Sequence, residues 1–109
     1  MSELQQQIIR LVKDQIHQFT GIRRHLHEYP ELSFEETNTC AYITELLNNW
    51  GIENKVVAET GVHAVIRGRN PDKMHIALRG DIDGLPITEN TGLAFSSKNK
   101  GVMHACGHD

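Results

Sequence analysis

The order of periodicities along the chain predicts an α/β fold. Apolar residues recur every three or four positions through the first half, then every second position, and a nearly all-apolar run then opens into a cluster of glycines and aspartates. The 109 residues, 39% of them apolar, suit one modest core and a single domain over residues 1–109, or part of a larger one.

Leu4, Ile8, Leu11, Val12, Ile16, Phe19, Ile22 and Leu26 mark one face of an amphipathic helix over residues 4–27. Tyr29-Pro30 ends it, because the residue before a proline is pushed out of the helical region. A second helix is expected over 35–50. Ala41, Ile43, Leu46, Leu47 and Trp50 form its stripe, Ser33 or a neighbour caps it, and Gly51 sits where a left-handed residue is wanted. Residues 53–58 and 62–68 read as strands joined by a Thr60-Gly61 turn, with a second turn at residues 69–72. The run 74–78 reads as a third, buried strand delivering Asp81 and Asp83 at its end. Residues 88–102 form a long ordered loop with Leu93, Phe95 and Val102 as apolar anchors.

Net charge is −3 with both signs interspersed, which argues against a nucleic-acid or anionic-membrane partner. No stretch approaches the roughly 20 apolar residues of a membrane span, and the chain opens without a basic and apolar leader, so a soluble, cytoplasmic protein is expected. Cys40 and Cys106 are then expected as reduced thiols.

The chemistry concentrates at the end. Cys106 and His108 flank Gly107, so both side chains can lean toward one point, and thiolate and imidazole are donors that zinc and its neighbours prefer. The bland alternative is a small thiol beside a surface histidine. Asp81 and Asp83, spaced by two, face one way if the strand continues through them. They can support a metal ligand or hold a water, or merely close turns beside Gly80 and Gly84. Arg23, Arg24, His25 and His27 crowd the end of the first helix, where the helix dipole alone favours cations. His104 precedes His108 by four, but the glycines around them speak against a helix. Arg79-Gly80-Asp81 spells an adhesion tripeptide too short to carry weight.

Three blocks in order, residues 23–36 (RRHLHEYPELSFEE), 77–87 (ALRGDIDGLPI) and 97–109 (SKNKGVMHACGHD), resemble the start of the metal-dependent amidohydrolase and carboxypeptidase family. That family includes hippurate hydrolase, N-acyl-amino-acid and N-acetyldiaminopimelate deacetylases, and the auxin-conjugate hydrolases. The resemblance implies the N-terminal portion of a zinc-peptidase-like catalytic domain with a central mixed sheet, whose lid and dimerisation domain is absent here; the full-length protein would then be a homodimer. It also implies Cys106 and His108 as metal ligands, Asp83 as a catalytic residue acting behind the ligands, and Asp81, Asp109 and His104 as further candidates for that supporting role. The cofactor would be two divalent ions (zinc, manganese, cobalt or nickel), and the substrate a small N-acyl amino acid or peptide cleaved at its amide bond. Gly84 and Ile82 depart mildly from the family pattern. The general base and remaining ligands would lie past Asp109, so the fragment is expected to be inactive alone. Two rivals are a hydrolase with Cys106 as nucleophile and a thiol-imidazole metal-binding module without catalysis.

Overall fold

A computed structural model describes residues 1–107. Helix α1 spans Glu3–Glu28. Its start is a capping box: the Ser2 hydroxyl accepts from the Gln5 amide at 3.2 Å while the Gln5 side chain accepts from the Ser2 amide at 2.8 Å. Tyr29 closes the helix as expected, and Pro30 behind it is fully buried. Helix α2 spans Thr37–Asn49, two residues shorter at its start than the sequence suggests. Ser33 does not cap it, and neither does the side chain of Glu36, the residue before the first turn. Glu31 does so from outside: its carboxylate accepts from the Asn38 and Thr39 amides at 3.1 and 2.6 Å and from both side chains at 2.9 and 2.7 Å. Gly51 takes the left-handed conformation, φ 67°, that the end of α2 requires.

Strands β1 (Glu53–Val57) and β2 (Gly61–Val65) pair antiparallel, with Val57 opposite Gly61. The turn therefore lies one step earlier than expected, at residues 58–60, and Gly61 belongs to the strand. A Cβ there would stand 2.9 Å from the Val57 carbonyl oxygen, so the close approach of the two backbones selects glycine. The Thr60 hydroxyl reaches back 2.6 Å to the buried Glu36 carboxylate and ties the hairpin to α2.

The expected third strand does not form. Residues 74–78 carry no ladder hydrogen bonds, and Ile76 and Leu78 are 81% and 97% exposed. A strand exists only by pairing with a neighbour, and among the described residues none pairs with this run. The sheet is thus two-stranded and antiparallel. What order the following segment has comes from isolated bridges: Leu32 with Gly84 in parallel, Leu85 with Met103 antiparallel. Gly84 is buried between Pro30 and Val102, where a Cβ would meet each at 3.0 Å. Alanine at this position therefore asks the Val102 side chain to give by a few tenths of an ångström.

Helices α1 and α2 meet through rings. Phe19 tilts against Trp50 at 5.9 Å, and His25 lies 4.1 Å from Tyr42 and 4.9 Å from Tyr29 between centroids. The buried residues His27, Pro30, Glu36, Thr39 and Cys40 gather where the end of α1 meets the start of α2. That junction, rather than an apolar core, is the centre from which the functional segment is hung.

Candidate functional site

The segment 88–102 is an ordered loop without regular structure, as expected, but its anchors are mainly polar. Leu93 is exposed; Phe95 and Val102 are half-buried. Glu89 does the holding. Its side chain is 3% exposed, and it accepts from His27 Nε2 at 2.9 Å and the Thr91 hydroxyl at 2.6 Å on one oxygen, and from the Ser97 amide at 2.6 Å on the other. The Thr91 hydroxyl, then His27 and the Ser97 amide, outweigh the cost of burial and hold the Glu89 carboxyl down at about 2. Lys98 ties the far side of the loop to the end of α1, donating its amide to the Glu28 carbonyl at 2.8 Å and its ammonium to the Glu28 carboxylate at 2.8 Å. The ammonium's bonds to the Glu28 carboxylate and the Tyr29 hydroxyl keep the Lys98 pKa above its usual value.

His27 therefore does more than end the helix, as the sequence allows: it is bonded to Glu89 across the loop. It is 8% exposed, and its ring stands edge-on to Phe95 at 5.7 Å, while Arg24 lies over that same Phe95 ring at 4.7 Å. Sequence reasoning misses the pair because its members are 62 residues apart. The available signal is that Glu89 is the one acidic residue in a stretch otherwise rich in glycine, serine, asparagine and lysine.

Beside this clamp opens a cavity of about 330 Å³, of a size suited to a small ligand, with Arg23 and His27 from α1, Asp81 and Ile82, and His104 and Cys106 in its wall. The structure thus brings Cys106, His104 and Asp81 to one place. Cys106 is exposed at the wall and Cys40 is buried, and no disulfide joins the two. The His104 ring is half-buried, 6.4 Å from that of His27. The aspartates are split. Asp81 lines the cavity and bonds Arg79 at 2.6 Å, whereas the half-buried Asp83 does not line it. Two residues separated by one share a face only on a regular strand, and residues 81–83 do not form one. His108 and Asp109 lie outside the described residues.

The donor chemistry at the wall suits a divalent transition metal in kind, since the thiol of Cys106 is a soft ligand reachable from the cavity. In number it is short: among the described residues no three His, Cys, Asp or Glu side chains come together in a group able to hold an ion.

The family model described as peptidase family M20/M25/M40 matches residues 77–109, the stretch that holds Asp81, Cys106 and the loop between them. Over this stretch the chain resembles that family. It is 57% identical over 93 residues to N-acetyl-L-cysteine deacetylase of Bacillus subtilis, an overlap of 84% of this chain and 22% of that protein. To thermostable carboxypeptidase 1 of Saccharolobus solfataricus it is 52% identical over 103 residues, or 93% of this chain and 25% of the other. Among solved structures it superposes on the Bacillus subtilis YXEP protein, a dinuclear metal-binding peptidase of the M20 family. The TM-score is 0.81 at 49% identity, covering 88% of this chain and 27% of that one. The chain therefore spans about a quarter of the length of these relatives. The two helices and hairpin correspond to the N-terminal part of the M20 fold.

Proposed function

We propose that this chain forms one wall of a divalent-metal-dependent hydrolase that cleaves the amide bond of N-acyl amino acids or small peptides. The observation that carries the reading is the exposed Cys106 thiol on a cavity wall, in a chain that superposes on a dinuclear metal-binding peptidase. Cys106 as thiolate and His108 as neutral imidazole would donate to the metal pair, whether zinc, manganese, cobalt or nickel. When bound, such ions polarise an amide carbonyl and bring the pKa of a bound water toward ~7. The task of this segment is to hold the donors. Gly107 lets the backbone turn between them, and Asp83, with Asp81, His104 and Asp109, would orient or neutralise the ligands from behind. Arg23, at the cavity wall, offers a cation to an anionic substrate. The reading includes a cytoplasmic setting, in which both thiols stay reduced, and a homodimeric full-length protein.

The test is hydrolysis of N-acetyl-L-cysteine and a panel of other N-acyl amino acids and dipeptides by the full-length protein. Activity that disappears on chelation, returns with a divalent ion, and is lost together with bound metal in Cys106→Ala supports the proposal. Activity that survives chelation but not thiol alkylation replaces it with the cysteine-nucleophile reading. Tight stoichiometric metal binding by the 109-residue chain, with no hydrolysis by any form, replaces it with the binding module.

A further inference from the structure

The two oxygens of Glu89 face different parts of the molecule. One takes His27 Nε2, and so holds the last turn of α1; the other takes the Ser97 amide, and so holds the loop. An ionised carboxylate only accepts, so Nε2 of His27 carries the hydrogen in this bond. From Ser97 the connection continues without a gap. Its hydroxyl donates to the Val102 carbonyl at 2.7 Å, and Met103 next to it exchanges both backbone bonds with Leu85 at 3.0 and 2.8 Å. His104 follows, then Cys106, on the same cavity wall as His27. A chain of hydrogen bonds thus runs from a buried helix residue to the segment that bears the thiol.

We infer that the Glu89–His27 pair is a positioning device for the Cys106-bearing segment, fixing how far residues 103–106 stand from the end of α1 across the cavity. This rests on the reading of Cys106 as a metal donor. Both residues act through Ser97 and Val102, which makes them positioning rather than catalytic residues. A carboxylate is required because three donors converge on two oxygens, and alanine at position 89 leaves the Ser97 amide and the His27 Nε2–H without their acceptor. Glutamine keeps the shape and one acceptor oxygen, and the Lys98 tie offers a control on the same loop that leaves the pair untouched.

The experiment compares Glu89→Ala, Glu89→Gln and Lys98→Met in the full-length protein. The readouts are Co²⁺ affinity, the thiolate-to-cobalt charge-transfer band, and the alkylation rate of Cys106 in the metal-free protein. In Glu89→Ala, Co²⁺ affinity is expected to fall by about tenfold or more, with a displaced band and a changed alkylation rate. Glu89→Gln recovers part of each, and Lys98→Met keeps all three at wild-type values. A folded Glu89→Ala protein with wild-type band, affinity and alkylation rate overturns the inference. Should that variant fail to fold, wild-type values in both Glu89→Gln and His27→Gln overturn it instead. If the wild-type protein shows no thiolate-to-cobalt band, the metal reading fails, and the alkylation rates alone then decide whether the pair positions Cys106.

Discussion

Two residues of the hairpin turn, Ala58 and Glu59, have φ of 47° and 70°, in the left-handed region where a side chain costs energy that glycine does not. Glu59 is exposed. Glu59→Gly is therefore expected to stabilise the chain by about 0.5–1 kcal/mol, less than the full left-handed cost because glycine also loosens the unfolded chain. Urea denaturation checks it, with Glu59→Ala as the neutral comparison; a lower midpoint in the glycine variant would show that the turn is not under this strain. The same hairpin shows why residue-level reading slips by one. Gly61 suggests a turn because glycine is the usual turn residue, yet its need here is steric, set by the Val57 carbonyl 2.9 Å from where its Cβ would be. The Cys106 and His108 spacing is legible because the two proposed donors are neighbours in sequence. Glu89 and His27 are not, because nothing in either local segment announces a partner 62 residues away.

Both helices are legible in the sequence because their signals are local: an apolar stripe, Tyr29-Pro30 at one end, Gly51 at the other. The start of α2 is not, since its cap comes from Glu31 outside the helix. Glu31→Ala, which leaves two first-turn amides without acceptors, is expected to cost about 1–2 kcal/mol in chemical denaturation, while Ser33→Ala costs little. The charge on Glu31 has a pH consequence that it shares with Glu89. Burial pushes the Glu31 pKa up, but the hydrogen bonds from Thr39 and Asn38 outweigh it and leave it lowered. Glu89 is lowered from 4.5 to about 2. Groups whose pKa is depressed on folding stabilise the native state fully above their unfolded value, and that contribution is lost as pH falls through the folded one. Acid titration by circular dichroism should therefore show stability falling between about pH 4.5 and pH 2. Glu89→Gln should flatten the lower part of that fall, and an unchanged profile would mean that Glu89 is not held ionised by its partners.

At the scale of the molecule, burial is the informative quantity. A chain of 109 residues has enough apolar side chains for a core, yet among the described residues Cys40 is the only buried hydrophobic apart from Pro30. The stripe of α1, including Leu4, Ile8, Leu11, Val12, Ile16 and Phe19, faces solvent, and so do Ile66, Met74, Ile76 and Leu78 around the run that reads as a strand. Sequence patterning correctly marks these residues as apolar faces; it cannot say what covers them, and a strand pattern remains unpaired where no partner strand bonds to it. The site shows the same incompleteness. On the proposed reading, Cys106 and His108 would supply two protein donors where a catalytic zinc site has three plus water, and no three-ligand group exists among the described residues. Both shortfalls lead to one prediction for the 109-residue polypeptide studied by itself. It should bind a hydrophobic-surface dye, take up Co²⁺ only weakly, and hydrolyse no N-acyl amino acid above background. Amide hydrolysis that survives purification and is lost on chelation would refute this, because a working metal site would then have to be assembled from donors that residues 1–107 do not bring together.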